Sequence, residues 1–464
     1  MASKPSAPAT RHIVSINDLS DKDIETIFEI AQSYLERFPD PNFPYRIRRS
    51  TNLASDFILA SLFYEPSTRT RLSFESAMLR LGGDTITSAD PLTSSAAKGE
   101  SLADSVRVVG NYADVIVIRH PRDGAARLAA EYSPIPIING GDGSHEHPTQ
   151  TLCDVFTLKR KKKSLKRLKV AIAGDLKGSR TIHSFVYALA RLGAHIVPMP
   201  ATGMELPAHV DRRLREEFHC TFGRQGSIAA LYMTPDEPHQ PALFSEPDFE
   251  FTVKQQKEKI AAIYMTRFQK ERWTEKDQSY PKIDAKFLRE SKYSQASVLH
   301  PLPRVGELDV SFDSDARAVY FEQAAYGVPI RMALISLILG LEGKSFETFQ
   351  GGFRKAPWPI YDQPLNVGMR CANPNCIVHD PMEGPYVRNK FQAVSLSDGV
   401  LARCMYCEND HDRFVVASRK GKWYSSDTNL FGRVTTQKLK DFVLFQNESD
   451  ALNSGYHNRK PAAA

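Results

Sequence analysis

Residues 63–71 read FYEPSTRTR, a polar stretch that directly follows the apolar run ILASLF at 58–63. The helical pattern RTRLSFESAMLRLGG comes next and closes on two glycines. This order predicts a buried strand, a turn and a helix, which form the first half of a βαβ unit. Ser67 is predicted near the helix N-cap, where free backbone N–H groups and the helix dipole favour an anion.

The side chains of this stretch favour a phosphate. Ser67, Thr68 and Thr70 supply hydroxyls, and the guanidinium of Arg69 has a planar fork that suits a pair of phosphate oxygens. An ordinary N-cap with surface arginines is the alternative, because serine and threonine are common at helix starts. Other parts of the chain are needed to choose between the two interpretations.

Short apolar strands alternate with helical patterns on both sides of this stretch. Helices are predicted at 18–37, 69–81, 100–111, 124–132 and 148–159, and strands at 57–63, 115–119 and 134–138. A second strand–helix–strand series begins at residue 169 with KVAIAGD. The chain is therefore predicted to be an α/β protein with two doubly wound parallel-sheet domains around a cleft.

Composition changes along the chain predict the domain boundaries. The basic run KRKKKSLKRLK at 159–169 indicates a junction, and a Gly-, Pro- and aromatic-rich stretch indicates a linker. The predicted order is a first domain at 1–158, a second domain at 159–327, a helix at 328–343 that returns to the first domain, a linker at 344–370, a small β domain at 371–420 and a polar, disordered tail at 421–464.

Composition alone excludes few functions. The 464 residues carry a net charge of +6, which suits an acidic small molecule as readily as nucleic acid. The start of the sequence lacks the apolar segment of a secretory signal, and MALISLILGL at 332–341 is too short to span a membrane. We expect a cytoplasmic protein without a membrane partner, whose six cysteines are thiols or metal ligands.

Four of the cysteines form a compact pattern near the end of the chain. Cys371 and Cys376 are spaced as C-x4-C, Cys404 and Cys407 as C-x2-C, and 27 residues separate the two pairs. Four thiolates in two close pairs fit a tetrahedral structural zinc site with no open position for catalysis. We therefore predict one structural Zn²⁺ per chain.

Two further polar groups are predicted in the first domain. Arg119 ends the strand pattern DVIVIRHP, and ligands of α/β sheets bind at the carboxyl ends of strands. His147 and Gln150 stand at a helix start in HEHPTQ, where a neutral imidazole and an amide can polarise a carbonyl oxygen. Taken alone, a histidine such as His147 is more often structural than functional.

The second domain supplies residues that suit carboxylates. Arg180 begins a helix in GDLKGSRTIHS, and Arg267 and Gln269 follow a strand on one face of an extended segment. The turn HPLPR at 300–304 presents backbone carbonyls that can accept from an amide NH₂. The sequence thus predicts one half-site for phosphate and a carbonyl and another for carboxylates, which face each other across the cleft.

Most of residues 12–343 resemble the aspartate carbamoyltransferase family. The resemblance rests on six motifs that occur in this order: STRTR, RHP, HPTQ, GDLKGSRTIHS, MTRFQKER and HPLPR. The resemblance implies that a carbamoyl group passes from carbamoyl phosphate to L-aspartate, in the committed step of pyrimidine synthesis. It implies a phosphate grip of Ser67, Thr68, Arg69 and Thr70, an Arg119 shared between phosphate and carbonyl oxygen, and a His147 that polarises the carbonyl.

The resemblance also assigns the remaining contacts. Gln150 and the backbone of Leu302 and Pro303 would fix the carbamoyl amide, and Arg180, Arg267 and Gln269 would hold aspartate. The loop PLTSSAAKGES resembles the family loop that enters a neighbouring subunit's site, so that Ser94 and Lys98 would act in trans in a homotrimer. No side chain is placed as a general base, and the departing phosphate would take the amine proton.

The cysteine module resembles the zinc domain of the aspartate carbamoyltransferase regulatory chain, here fused to the catalytic chain. The linker is too short to hold the nucleotide-binding domain of that family. We predict a zinc clamp that bridges catalytic chains, with two trimers joined by zinc domains and no site for CTP or ATP.

Alternatives remain at this point. The His-Glu-His run at 145–147 departs from the family's pattern and is an alternative metal site, and residues 231–260 are longer than the family norm and have no predicted purpose. An ornithine-type carbamoyltransferase would share the phosphate half-site. A catalytically silent scaffold would keep the fold. A nucleic-acid binder would use the basic run at 159–169, although no aromatic-basic stripe accompanies it.

Overall fold

The computed structural model of the chain describes residues 11–48, 51–88, 98–225, 228–235, 259–269, 280–284, 286–344, 346, 360–364, 368–396, 399–433 and 441–459. The described residues form a first domain around a four-stranded sheet and a second domain around a six-stranded sheet. A C-terminal region, residues 360–459, contains two further four-stranded sheets.

The first domain is a parallel sheet covered by helices. Its elements are α1 (Asp21–Arg37), β1 (Pro39–Asp40), β2 (Phe43–Ile47), β3 (Ile58–Phe63), α2 (Thr68–Leu81), β4 (Asp84–Ser88), α3 (Leu102–Val109), β5 (Val115–His120), α4 (Ala125–Tyr132), β6 (Ile137–Asp142) and α5 (Pro148–Lys162). The sheet order is β4-β3-β5-β6, with all neighbours parallel, and β1 and β2 form a separate antiparallel pair.

The predicted elements are present, with one clear shift. Helix α1 starts after Ser20, whose side chain and that of Asp23 form the reciprocal capping box expected from the sequence. Strand β6 was predicted at 134–138 but spans Ile137–Asp142. The prediction ended the strand at its last apolar side chain. In the structure the strand continues through Asn139 and two glycines, and all six of its residues are buried.

The second domain has a mixed sheet. Its elements are β7 (Lys169–Gly174), α6 (Arg180–Arg191), β8 (His195–Pro200), α7 (Ala208–Glu216), β9 (Thr221–Gln225), β10 (Ile228–Met233), β11 (Ala262–Met265), β12 (Ser297–Leu299) and α8 (Tyr320–Ala325). In the order β12-β11-β7-β8-β10-β9, the first four strands are parallel, as predicted, while β10 and β9 extend one edge as antiparallel strands. Most of the predicted insertion at 231–260 lies outside the described residues.

The apolar helix α9 (Gly327–Leu339) returns to the first domain, as predicted. It packs against α1 and α2, and the hydroxyls of Ser336 and Tyr34 lie 2.7 Å apart in the interior. Nearly every residue of the helix is buried, which explains its continuous apolar character. Among the described residues, no helix has the length and apolarity needed to cross a membrane.

The C-terminal region corrects two predicted boundaries. Its elements are β13 (Ile360–Pro364), β14 (Arg388–Ser395), β15 (Val400–Cys404), β16 (Asp410–His411), β17 (Val415–Ser418), β18 (Trp423–Ser425), α10 (Asn429–Arg433), β19 (Phe442–Phe445), α11 (Glu448–Asn453) and β20 (His457–Asn458). Residues 360–364, predicted as linker, form a strand that pairs with β14. The prediction of a disordered tail from residue 421 was wrong, because β17, β18, β19 and β20 form one sheet.

The reason for the second error is burial. Phe431, Val443 and Leu444 are almost completely buried, although the surrounding sequence is polar. A half-buried sheet of short strands has too few apolar residues for its composition to differ from that of a tail. Residues 460–464 lie outside the described residues.

The C-terminal region packs on the first domain of the same chain. Apolar side chains of β5, α3 and α4 share one core with Phe391, Tyr406 and the cysteines. Gly124, with a φ of +83°, shows how close the two parts approach, since a Cβ there would lie 2.5 Å from the carbonyl carbon of Tyr406. Only glycine fits both the left-handed backbone and this contact.

Candidate active site and metal centre

A cavity of about 830 Å³ lies between the first and second domains. It is lined by twelve of the fourteen residues predicted to contact substrate, namely Ser67, Thr68, Arg69, Thr70, Arg119, His147, Gln150, Arg180, Arg267, Gln269, Leu302 and Pro303. The remaining two are Lys98, which is exposed and does not line this cavity, and Ser94, which lies outside the described residues. Tertiary structure thus brings both predicted half-sites together.

The N-terminus of α2 opens into this cavity. Ser67 is its N-cap, but the hydroxyl makes no capping hydrogen bond, so the helix does not use it. Burial, and next the nearby charge of Arg267, lower the pKa of Arg69 from its usual value. Two guanidiniums from different domains that lie close enough to affect each other favour an anionic ligand between them.

His147 is held as a neutral imidazole beside the helix start. It is the N-cap of α5; its backbone N–H donates to Ser184 Oγ at 2.9 Å, and its Nε2 lies 3.4 Å from Thr70 Oγ1. Burial lowers the pKa of His147 well below its ordinary value, and the charges of Arg119 and Arg180 lower it further. A neutral ring can donate one hydrogen bond to a carbonyl oxygen.

A buried carboxyl orients the amide of Gln150. Its Nε2 donates to Asp154 Oδ1 at 2.7 Å, which leaves the amide oxygen as an acceptor. Tyr264 and Gln323 donate to the same carboxyl group at 2.9 and 2.6 Å. Burial raises the pKa of Asp154 to about 7 despite these donors.

The turn that follows β12 is held by a histidine. His300 Nδ1 accepts from the backbone N–H of Leu302 at 2.8 Å, and its Nε2 lies 2.7 Å from Glu307 Oε1. Leu302 has a φ of +55°, a conformation that costs energy for a residue other than glycine. The surrounding contacts therefore hold the backbone of Leu302 and Pro303 in one arrangement at the cavity wall.

Glu65, which we did not predict as a site residue, joins the two domains. Both Nη atoms of Arg180 donate to its carboxylate at 2.9 and 2.8 Å, and Arg119 Nη2 lies 3.1 Å from the same group. The residue stands inside the quoted stretch FYEPSTRTR, where a single acid beside two arginines was the available signal. Its role needed the tertiary structure, because Arg180 belongs to the other domain.

Arg331 is a second residue that sequence reasoning missed. It lies on α9, is 3% exposed, and stacks over the ring of Phe74 at 4.9 Å. It also lines the cavity. A lone arginine in the apolar pattern of this helix was the signal that could have identified it.

The carboxylate half-site has a less rigid frame. Gln269 Nε2 donates to the carbonyl oxygen of Gly178 at 3.0 Å, which ties the segment after β11 to the loop before α6. Arg267 Nη1 donates to the carbonyl of Phe268 at 3.2 Å. Both side chains line the cavity opposite the N-terminus of α2.

Four buried cysteines form the predicted metal centre. The Sγ atoms of Cys371 and Cys407 lie 3.5 Å apart, and those of Cys376 and Cys404 lie 3.9 Å apart. All four sulfurs lie within 4.8 Å of one another. Zn–S bonds of about 2.3 Å in a tetrahedron separate the sulfurs by about 3.8 Å, so the cluster fits a four-thiolate metal site.

The alternative metal site at residues 145–147 does not form as a unit. His147 faces Thr70, while His145 and Glu146 group with Glu408 of the C-terminal region. Burial by itself would lower the pKa of His145, but the carboxylates of Asp142 and Glu408 raise it well above its ordinary value. The two histidines therefore differ in charge, one protonated and one neutral.

The basic run at the end of α5 is paired with protein groups. Lys161 contacts Glu322 at 2.6 Å, and Lys162 donates to the carbonyl of Gln295 at 3.1 Å. Lys159 pairs with Glu25. These contacts tie the end of α5 to α1, to α8 and to residue 295.

Three family models match the chain. They describe the carbamoyl-P binding domain of aspartate/ornithine carbamoyltransferase, at residues 11–160, and the Asp/Orn binding domain of the same family, at residues 166–338. The third describes the metal binding domain of the aspartate carbamoyltransferase regulatory chain, at residues 365–417. Residues 418–459 lie beyond these matches.

Relatives with curated names are similar over the first two domains. The aspartate carbamoyltransferase catalytic subunit of Picrophilus torridus is 41% identical over 333 residues, which cover 71% of this chain and 98% of the relative. The corresponding subunit of Methanothrix thermoacetophila is 42% identical over 334 residues, with the same shares covered.

Solved structures show the same similarity. The catalytic subunit of M. jannaschii aspartate transcarbamoylase is 36% identical with a TM-score of 0.55, over 72% of this chain and all of that one. The Trypanosoma cruzi aspartate transcarbamoylase in complex with N-(phosphonacetyl)-L-aspartic acid is 32% identical with a TM-score of 0.56, over 72% of this chain and 97% of that one.

Proposed function

The chain belongs to the aspartate/ornithine carbamoyltransferase family, and on that premise we propose that it transfers the carbamoyl group of carbamoyl phosphate to the amine of L-aspartate. The products are N-carbamoyl-L-aspartate and phosphate. One observation carries the choice of acceptor: Arg180 and Arg267 of the second domain face the N-terminus of α2 across a single cavity. Two guanidiniums suit the two carboxylates of aspartate and would repel the side-chain ammonium of ornithine.

Each substrate has a matching set of groups. The phosphate lies at the start of α2 and binds Ser67, Thr68, Arg69 and Thr70, where helix dipole and guanidinium act together. Gln150 and the backbone of Leu302 and Pro303 bind the carbamoyl NH₂. Aspartate binds Arg180, Arg267 and Gln269 on the opposite wall.

The reaction needs positioning and electrostatics more than acid–base chemistry. The aspartate amine attacks the carbonyl carbon, a C–N bond forms, and the C–O bond to phosphate breaks as phosphate leaves with the electron pair. Arg69, Thr70, Arg119 and neutral His147 stabilise the negative charge on the carbonyl oxygen. The amine proton passes to the departing phosphate. Holding both substrates in one geometry can contribute about 7–11 kcal/mol.

The test is phosphate release from carbamoyl phosphate with L-aspartate or L-ornithine as acceptor. Turnover is expected with aspartate alone, and Arg69→Ala should reduce it by about 10³-fold because an oxyanion and phosphate donor is lost. Equal turnover with ornithine would refute the acceptor assignment. A folded, metal-loaded chain with no turnover would favour the silent scaffold.

We further propose a homotrimer with shared sites. Lys98 follows β4 at the exposed edge of the first sheet and does not line its own cavity. Leu72, Leu79 and Ile86 are 50%, 52% and 39% exposed on α2 and β4. A second copy packed on this apolar face would cover it and bring Lys98, with Ser94, into the neighbouring cavity.

Mixing two inactive variants tests the shared site. Arg69→Ala and Lys98→Ala damage different sites of the trimer, so subunit exchange should restore sites that carry neither change. Restored turnover in the mixture, with a trimer mass by sedimentation, is the expected result. No restoration after verified exchange would show that Lys98 acts within its own chain or not at all.

For the cysteine cluster we propose one structural Zn²⁺ per chain, which metal analysis would measure. The thiolates hold the ion, and no step of the reaction passes through it.

We also propose that this C-terminal region joins two trimers. The chain lacks a CTP or ATP site, because the linker is too short for a further domain. Six cysteines that serve as thiols or metal ligands favour a cytoplasmic location. The domain boundaries given from the sequence, apart from the corrected linker and tail, stand as part of this proposal.

A further inference from the structure

The turn at residues 142–147, which joins β6 to α5, contacts every region of the molecule. Its last residue is His147, at the cavity. From the second domain, Arg180 Nη1 donates to the carbonyl of Gly143 at 2.8 Å. From the C-terminal region, Glu408 Oε2 lies 3.8 Å from the Nε2 of His145.

His145 connects two carboxylates from different regions. Its Nδ1 lies 3.1 Å from Asp142 Oδ2, its Nε2 faces Glu408, and the side chain is only 10% exposed. Asp142 is itself fixed, since it accepts from the backbone N–H of Gly124 at 2.8 Å and from Asn139 Nδ2 at 2.9 Å. The imidazole thus links the first sheet to the C-terminal region.

Glu408 reaches both domains from a position next to the metal centre. It directly follows Cys407, its φ is +57°, and its backbone N–H donates to the carbonyl of Cys404 at 3.0 Å. Its carboxylate also pairs with Arg213 of α7 in the second domain. The backbone of the cysteine loop therefore carries this carboxylate.

The same turn sets the backbone of His147. Glu146 is 1% exposed and accepts from Ser15 Oγ at 2.6 Å and from Ser184 Oγ at 3.0 Å. Ser184 Oγ in turn accepts from the backbone N–H of His147 at 2.9 Å. A displacement of residues 145 and 146 would therefore move the ring that faces the substrate carbonyl.

We propose that Glu408 and His145 are positioning residues for the carbamoyl-transfer site. The fused C-terminal region holds the turn at 142–147 so that His147 faces the carbonyl oxygen of carbamoyl phosphate. This inference rests on the proposed function. It assigns the C-terminal region a role within its own chain, in addition to any contact between chains.

Pairing within the protein argues against a second metal at this cluster. Both oxygens of Glu146 accept from protein donors, since Ile16 N–H donates to Oε2 at 2.9 Å and Ser15 to Oε1. Glu408 already has the guanidinium of Arg213 as a cation partner. One metal ion per chain is the matching expectation, and two per chain in the full protein would overturn the ion-pair interpretation.

The experiment compares Glu408→Gln and His145→Gln with a control, Lys390→Met. The control removes the 2.9 Å contact of Lys390 with Glu131, which joins the same two regions through other residues. Both test variants should lose about tenfold in kcat while retaining their metal, as changes to outer supporting residues do. The control should stay within about twofold of the parent.

Binding by calorimetry separates positioning from general damage. Affinity for carbamoyl phosphate should fall about tenfold in both test variants, because His147 contacts its carbonyl, while affinity for inorganic phosphate stays unchanged. An equal loss for both ligands, or an equal effect in Lys390→Met, would mean that only docking of the C-terminal region was weakened. Parent-like kcat and binding in the test variants would refute the proposal.

A spectroscopic readout keeps this test independent of the proposed activity. The ring resonances of His147 should shift in Glu408→Gln and remain in place in Lys390→Met. An inactive parent chain would refute the proposed function, yet the resonances would still report whether Glu408 determines the position of the ring. Unchanged resonances in Glu408→Gln would refute the positioning role.

Discussion

The cleft between the domains and the contact between α7 and the C-terminal region are both rich in arginines, but their charges are balanced differently. In the cleft, Glu65 is shared by Arg119 and Arg180, while burial and next the charge of Arg267 lower the pKa of Arg69. At the α7 contact three arginines meet three carboxylates, as the pairs Arg212–Asp410, Arg213–Glu408 and Arg403–Glu217 show.

This difference in charge balance distinguishes a ligand-binding site from a structural contact. An excess of positive charge in a cavity stores unfavourable energy that an anionic substrate relieves. A cluster with balanced charges needs no ligand, and its ion pairs instead hold the C-terminal region against the second domain. Substitutions in the cleft should therefore lower activity. Substitutions in the α7 contact should lower stability, except at Glu408, which also faces His145.

Arg180→Gln should have the largest effect on activity. It removes a predicted ligand of the aspartate carboxylate and both hydrogen bonds to Glu65, so kcat/KM for aspartate should fall about 10³-fold. Steady-state kinetics measure it, with Glu65→Gln as the companion variant that loses only the bridge. A loss in Arg180→Gln no greater than that in Glu65→Gln would mean that Arg180 acts on domain geometry alone.

Removal of the metal should have the next largest effect. Without the ion the four buried thiols lose their common partner, the loop that carries Glu408 loses its anchor, and kcat should fall about tenfold. Chelation followed by zinc titration measures the loss and its recovery. Full activity in a verified metal-free chain would show that the catalytic domains work independently of the C-terminal region.

Arg403→Gln should change stability more than activity. Arg403 pairs with Asp410 and with Glu217, which directly follows α7. All three groups are mostly buried, so the free energy of unfolding should fall by about 3 kcal/mol. Turnover should stay within about twofold, since no atom of this group reaches the cavity. Denaturant titration beside kinetics checks both statements; a large fall in kcat with unchanged stability would contradict the distinction drawn above.

The two neighbouring histidines should show no titration near neutral pH, for opposite reasons. Burial holds the pKa of His147 below its ordinary value, and two carboxylates hold that of His145 above it. Nitrogen chemical shifts should therefore report a neutral ring at 147 and a protonated ring at 145 from about pH 6 to 8.

The lowered pKa of His147 also links the stability of the fold to pH. Its contribution to the free energy of unfolding is lost as the pH falls below about 6.5, because the unfolded chain then binds a proton that the folded chain does not.

The sequence by itself determined the groups whose residues are contiguous. FYEPSTRTR encodes strand, N-cap and phosphate donors in one stretch, because a helix N-terminus builds its anion site from neighbouring residues. The cysteine spacing likewise encoded a four-thiolate cluster. The strand, the N-cap, the cysteine cluster and the alternation of strands and helices were confirmed by the described structure, and the phosphate contacts stay a prediction.

Only the tertiary structure decided the contacts between distant segments. The partner of Glu65 lies in the other domain, and the partner of His145 lies beyond the linker, so no local pattern could reveal either. The strands after residue 421 escaped prediction because a short, half-buried strand has little local signal and is stabilised by its neighbours in the sheet. Functional groups on neighbouring residues are placed by local backbone geometry, whereas contacts between domains depend on how the whole chain packs.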